Sequence, residues 1–93
     1  MKNVEWFKNV FASHLKGFEI KYKFFEKGDF GSLNQVEFNS QEKGGEVDFW
    51  SSGRLSIYFV DYKTGKELLN ILLMPSQDEE KEIAFQKLRE LLL

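Results

Sequence analysis

Ninety-three residues with 42% apolar and 16% aromatic side chains suffice for one hydrophobic core, are not enough chain for two, and do not read as disordered. The absence of cysteine excludes a disulfide scaffold and fits a reducing, cytosolic setting. Charge is uneven: residues 1–32 hold six lysines against four acids, a net of +2, while residues 33–93 hold seven bases against eleven acids, a net of −4, so a surface from the later part repels phosphate and attracts basic partners.

The chain starts with a helical period. Val4, Phe7, Phe11 and Leu15, widened by Trp6 and Val10, predict a helix over 4–16, with Asn3 as its cap and Gly17 as its left-handed stop. Acidic Glu5 and the later His14 and Lys16 interrupt any apolar run, so no secretory leader is expected. The run Ile71-Leu72-Leu73-Met74 is far too short for a bilayer core of about 30 Å.

From Phe18 the period becomes two. Phe18, Ile20, Tyr22 and Phe24 alternate with Glu19, Lys21 and Lys23, the pattern of a strand with one wet face. Gly28 to Gly31 breaks it. A second strand runs over 33–40, with Val36 and Phe38 on one side. Glu42-Lys43-Gly44-Gly45 reads as a turn, and a third strand spans 46–50. Ser51-Ser52-Gly53 turns the chain into a fourth strand over 54–62, and Lys63-Thr64-Gly65-Lys66 into a fifth over 67–74. Pro75 stops the sheet. Ser76-Gln77-Asp78-Glu79 has the form of a capping box, followed by a helix through Ile83, Ala84, Leu88 and Leu91. Short links favour antiparallel neighbours. The expected fold is α+β: an antiparallel β-meander of four or five strands, flanked by an N-terminal and a C-terminal helix, as a single domain over 1–93.

Groups suited to catalysis are sparse. His14 is the only histidine and there is no cysteine, so the usual zinc ligand sets cannot be assembled. No serine lies in a nucleophile elbow, and neither Gly44-Gly45 nor Gly28–Gly31 leads from a strand into a helix N-terminus, where phosphate is held. Glu46 and Asp48 are two apart on one strand and point the same way, an arrangement that raises a carboxyl pKa or holds a hard cation, or is simply a solvated face. No catalytic residue, cofactor or metal site is expected, and no enzyme activity.

Aromatic residues carry more information. Strands four and five are apolar on both faces. Either the helices cover opposite faces of the sheet, or some of Trp50, Tyr58 and Tyr62 are exposed. In the second case Asp48 and Trp50 share an outward face with Tyr58 and Tyr62, an acidic, ring-rich patch suited to a basic protein. The lysines at 16–27 are not a stacking platform for nucleic acid, because alternation sets Lys21 and Lys23 opposite Phe18, Ile20, Tyr22 and Phe24.

Three stretches, Val47-Asp48-Phe49-Trp50-Ser51-Ser52-Gly53, Ile57-Tyr58-Phe59-Val60-Asp61 and Thr64-Gly65-Lys66-Glu67-Leu68-Leu69-Asn70, resemble the small immunity proteins of bacterial contact-dependent growth inhibition systems. The similarity covers roughly residues 45–93 and rests on strand and turn residues. It implies a cytosolic protein that binds and neutralises a cognate toxin domain, a nuclease cleaving tRNA, with elongation factor Tu as an indirect partner through the toxin, and with no direct contact to nucleic acid or membrane. On this reading Asp48 and Asp61 face basic groups of the toxin, Trp50, Tyr58 and Tyr62 anchor, and Glu46 and Glu42 form the rim. The competing expectations are a self-associating structural module and a small domain binding an unknown ligand.

Overall fold

The computed structural model describes residues 2–93. Asn3 opens the N-terminal helical segment, its side-chain oxygen accepting the Trp6 amide at 2.9 Å. After one α-turn (α1, Val4–Trp6) the backbone widens into a π-turn over Phe7–Phe11 and tightens into a 3₁₀ turn over Ala12–His14. Phe7, Phe11 and Leu15 are all buried in the same core, whereas His14 is exposed beside the Phe11 ring. Gly17, at φ +85°, turns the chain into the sheet.

Five strands follow: β1 (Glu19–Phe25), β2 (Leu33–Asn39), β3 (Lys43–Trp50), β4 (Leu55–Asp61) and β5 (Glu67–Leu73). They lie side by side in chain order, every neighbour antiparallel. The C-terminal helix α2 (Asp78–Leu92) returns across the sheet. This is the expected α+β meander between two helical ends, and no helix among the described residues is long and apolar enough to cross a membrane.

Both helical elements pack on one face. The row Tyr22, Val36, Val47, Ile57 and Ile71 runs straight across all five strands, and its three central members are fully buried. Phe7 and Phe11 from the first segment and Ala84, Phe85 and Leu88 from α2 close over it. Phe85 contacts Trp6, Phe11 and Phe49 at ring-centroid distances of 4.7, 5.3 and 6.2 Å. Of the two arrangements left open by the two-faced strands, the helices therefore take the one that leaves the other face uncovered.

Two sequence expectations are corrected. Gly44 and Gly45 do not form a turn; they lie inside β3, and the reversal sits one step earlier, where the Ser40 amide donates to the Lys43 carbonyl at 2.8 Å. The reason is packing. Gly45 stands in register between Phe38 on β2 and Phe59 on β4, and those two rings meet across it with centroids 5.7 Å apart. Strands two apart are about 9.5 Å from each other, so the contact needs a residue without a side chain between them. Phe18 completes the cluster against both rings.

The second correction concerns the entry to α2. Its cap position is Gln77, whose side chain accepts from the Met74 amide at 2.7 Å, and no side-chain cap forms there. In place of the Ser76 box, Lys81 ties the turn down: its ammonium is buried and donates to the Gly53 and Pro75 carbonyls at 2.8 and 3.2 Å. The acids Asp78, Glu79 and Glu80 occupy the first turn, where the helix dipole favours them.

Candidate functional site: the open face of the sheet

Strand alternation places every second residue of β1–β5 on the uncovered face. Register then assembles two parallel rows there. One reads Lys21, Glu37, Glu46, Tyr58, Asn70, and its neighbour reads Lys23, Gln35, Asp48, Ser56, Leu72. Carboxylates occupy the middle of the face, lysines the β1 side, and hydroxyl and amide groups the β4 and β5 side.

The central hydrogen bonds are specific. Gln35 Nε2 donates to Glu46 Oε2 at 2.9 Å and to Asp48 Oδ1 at 3.0 Å. Ser56 Oγ donates to the other Asp48 oxygen, Oδ2, at 2.9 Å. Asp48 is only 8% exposed and has its charge held by these two donors. Glu46 is half-buried with Asp48 beside it and Glu37 directly across the strand pair. Burial, reinforced by the hydrogen bond to Asp48 and by the charges of Asp48 and Glu37, pushes the Glu46 carboxyl up to about 7, with the Gln35 amide opposing the shift. Lys23 relieves part of the repulsion by pairing with Glu37 at 2.6 Å.

Five of the six partner-contact residues expected from sequence belong to this face or its rim. Glu46 and Asp48 form its centre. Tyr58 stands opposite Glu46 and is exposed. Tyr62 follows β4 and lies over Gly44, its hydroxyl donating to the Asn39 side chain; a side chain at Gly44 would run into that ring, which accounts for the second glycine. Trp50 has the same parity but lies at the corner, half-buried, with its ring edge-on to Phe30 at 5.6 Å. Arg54 stacks on the other partner of that pair, its guanidinium carbon 3.7 Å from the Phe30 ring centre.

Asp61 is the one that stands apart. Its carboxylate accepts the Lys63 and Thr64 amides at 2.9 and 3.4 Å, and its carbonyl accepts the Gly65 amide at 2.8 Å, so it holds the β4–β5 turn. Glu42 sits at the far rim, 2.8 Å from Lys63; the hydrogen bond to that ammonium lowers its carboxyl pKa and raises the lysine's.

Gln35, Glu37 and Ser56 complete the site and were not singled out from sequence. Their signal is positional, since each becomes a neighbour of Glu46 or Asp48 only once the strand register is fixed.

Chemically, the arrangement is a shallow anionic surface edged by rings. Among the described residues no group of three or more His, Cys, Asp or Glu side chains is placed to hold a metal ion. A cleft of about 620 Å³ lies at the end of the sheet between Asn34, the Ser51–Arg54 turn and Lys81, and includes none of the open-face carboxylates. No protein-family model matches the sequence, and no curated protein matches it.

Proposed function

We propose that this chain is a protein-binding module whose working surface is the open face of β2–β4, and that it acts as an immunity protein, capturing and neutralising a cationic toxin nuclease domain. The observation that carries the binding reading is the double like-charge contact at Glu46, which faces Glu37 across the strand pair and Asp48 along the strand. Like charges directly opposite in a sheet are destabilising. A fold that keeps them on its one uncovered face gives up stability there, as working surfaces commonly do. A lysine- or arginine-rich partner would relieve the repulsion on binding, and Tyr58 and Tyr62 offer rings beside it.

Nuclease domains present basic surfaces to phosphate, and charge complementarity would speed capture of such a domain. The resemblance of residues 45–93 to contact-dependent growth inhibition immunity proteins names the partner class: the toxin domain, with elongation factor Tu reached only through it. No catalytic role is assigned to the chain, and a cytosolic site of action follows from the same reading.

Co-expression with a toxin nuclease domain, which this reading expects to be encoded immediately upstream, tests the proposal. The pair is expected to co-purify, to separate more readily as salt is raised, and to leave cells viable that the toxin alone kills. Failure to associate at micromolar concentration, or continued killing, overturns it.

A further inference from the structure

A second surface is built into the edge of the sheet. β1 is an outermost strand, and all its residues but Ile20 are exposed. Three large rings lie within four positions: Tyr22 is 42%, Phe24 61% and Phe25 45% exposed. Its pairing with β2 runs over seven residues without a break, whereas the opposite edge is irregular where β5 meets Phe59 and Val60. Bulges blunt an edge against further pairing; β1 has none.

The two sides of β1 differ in chemistry. Toward the helices it presents Ile20, Tyr22 and Phe24, with Phe7 reaching Tyr22 at a ring distance of 6.5 Å, so the apolar layer ends under-covered at this strand. Toward the open face it presents Lys21 and Lys23 in the middle of the strand, with Glu19 before them and Phe25 after them. Lys21 is largely exposed, and among the described residues its counter-ion is Glu19, 4.0 Å away.

We propose that the free edge of β1 is a strand-docking site for an extended segment of a partner protein that points apolar side chains toward the helices and carboxylates toward Lys21 and Lys23. Such a segment would add a sixth strand, extend the apolar layer beside Tyr22 and Phe24, and place its acids opposite the two ammonium groups, the alternation that strand addition reads. Edge lysines alone are a common guard against pairing. A guard does not place three exposed rings between and beside its charges.

A second copy of this chain is the poorer occupant. Antiparallel pairing that keeps both sets of helices on one face must centre on a residue, and three centres overlap at least five residues of the strand. Centring on Tyr22 sets Lys21 against the other copy's Lys23 twice, and centring on Lys23 sets that lysine against itself. Centring on Lys21 does the same to Lys21; the Glu19–Lys23 pairs it also makes come from an overlap of only five residues and compete with the Glu37 that Lys23 already holds. Like charges opposite each other destabilise a pair. The inference does not depend on the reading of the open face.

The test uses a capped heptapeptide alternating Glu and Val, its Lys-for-Glu counterpart, and the ¹⁵N-labelled protein. The acidic peptide is expected to shift the amides of residues 19–25, slow their exchange, and bind about fivefold or more tighter than the basic peptide. Lys21→Glu together with Lys23→Glu should reverse that preference. Phe24→Thr, a strand-compatible change at an exposed position, should weaken both peptides while leaving the spectrum of the helices and β3–β5 unchanged. Equal binding of the two peptides, no binding of either, shifts confined to β5 or the helices, or β1 protection that grows with protein concentration alone would overturn the proposal.

Discussion

Glu46 and Asp48 share a single donor: both carboxylates accept from Gln35 Nε2, at 2.9 and 3.0 Å. Two side chains two apart on a strand point the same way, and here the cross-strand amide holds them there against their repulsion.

The pH dependence of stability follows from this contact. In the unfolded chain the Glu46 carboxyl titrates near 4.5; in the folded protein burial and its acidic neighbours raise it to about 7. Between those values the folded state holds a proton that the unfolded state has released, so stability falls as pH rises through this window and levels off above it. Solvent screening at a partly exposed carboxyl limits the effect to roughly 1 kcal/mol. Glu46→Gln should therefore raise the urea midpoint at pH 8 and change it little at pH 4.5. A variant that loses stability equally at both pH values would contradict the assignment.

Gln35→Leu removes the donor and leaves Asp48 with Ser56 alone. An under-satisfied buried carboxylate costs about 1–3 kcal/mol, so the variant is expected to unfold at lower denaturant. In the double variant with Asp48→Asn the loss should be smaller than the two single losses added, because the charge that needed the donor has gone. Additive losses would mean that the contact is incidental.

The two glycines of β3 should respond differently. A Cβ on Gly45 would run into the Tyr58 carbonyl and the backbone beside it, whereas a Cβ on Gly44 would meet the ends of the Tyr62 and Asn39 side chains, which are exposed and free to swing away. Gly45→Ala is expected to destabilise by about 2–4 kcal/mol or to prevent folding, and Gly44→Ala by about 1 kcal/mol or less. Chemical denaturation of both variants checks the order.

Much of the fold was legible in the residues because alternation and turn signals are local. Phe18 to Phe24 and Leu55 to Tyr62 declare strands, and Asn3 and Gly17 bracket the first helical segment. Long-range packing decided the rest. Gly44-Gly45 looks like a turn from its neighbours alone, and only long-range contacts, Phe38 with Phe59 across Gly45 and the Tyr62 ring over Gly44, explain why a strand interior wants it. Ser76 has the spacing of a cap, but Lys81 reaching Gly53 from another turn sets the helix entry. At the candidate site Glu46 and Asp48 could be paired from their spacing, whereas Gln35, Glu37 and Ser56 join them only through register. Asp61 has the right chemistry for the face and lies where the chain turns, so its carboxylate is spent on backbone amides.

Lys81→Met tests the helix entry directly. It keeps an unbranched apolar stem of similar length and removes the charged donor to the Gly53 and Pro75 carbonyls. Hydrogen bonds from a charged donor contribute about 1.5–3 kcal/mol, and a loss of that size is expected, with faster hydrogen exchange across the Ser51–Arg54 turn. Unaltered exchange there would contradict the role assigned to Lys81.

Binding of the proposed partner, a toxin nuclease domain, to Glu46→Lys and Tyr58→Ala variants, followed by calorimetry at two salt concentrations, is the most direct test that the open face is the working surface. Glu46→Lys removes two like-charge contacts and should raise the melting temperature while weakening the complex about tenfold or more; Tyr58→Ala should weaken it with little change in melting temperature. Wild-type affinity in both variants, with no dependence on salt, would contradict the assignment of this face.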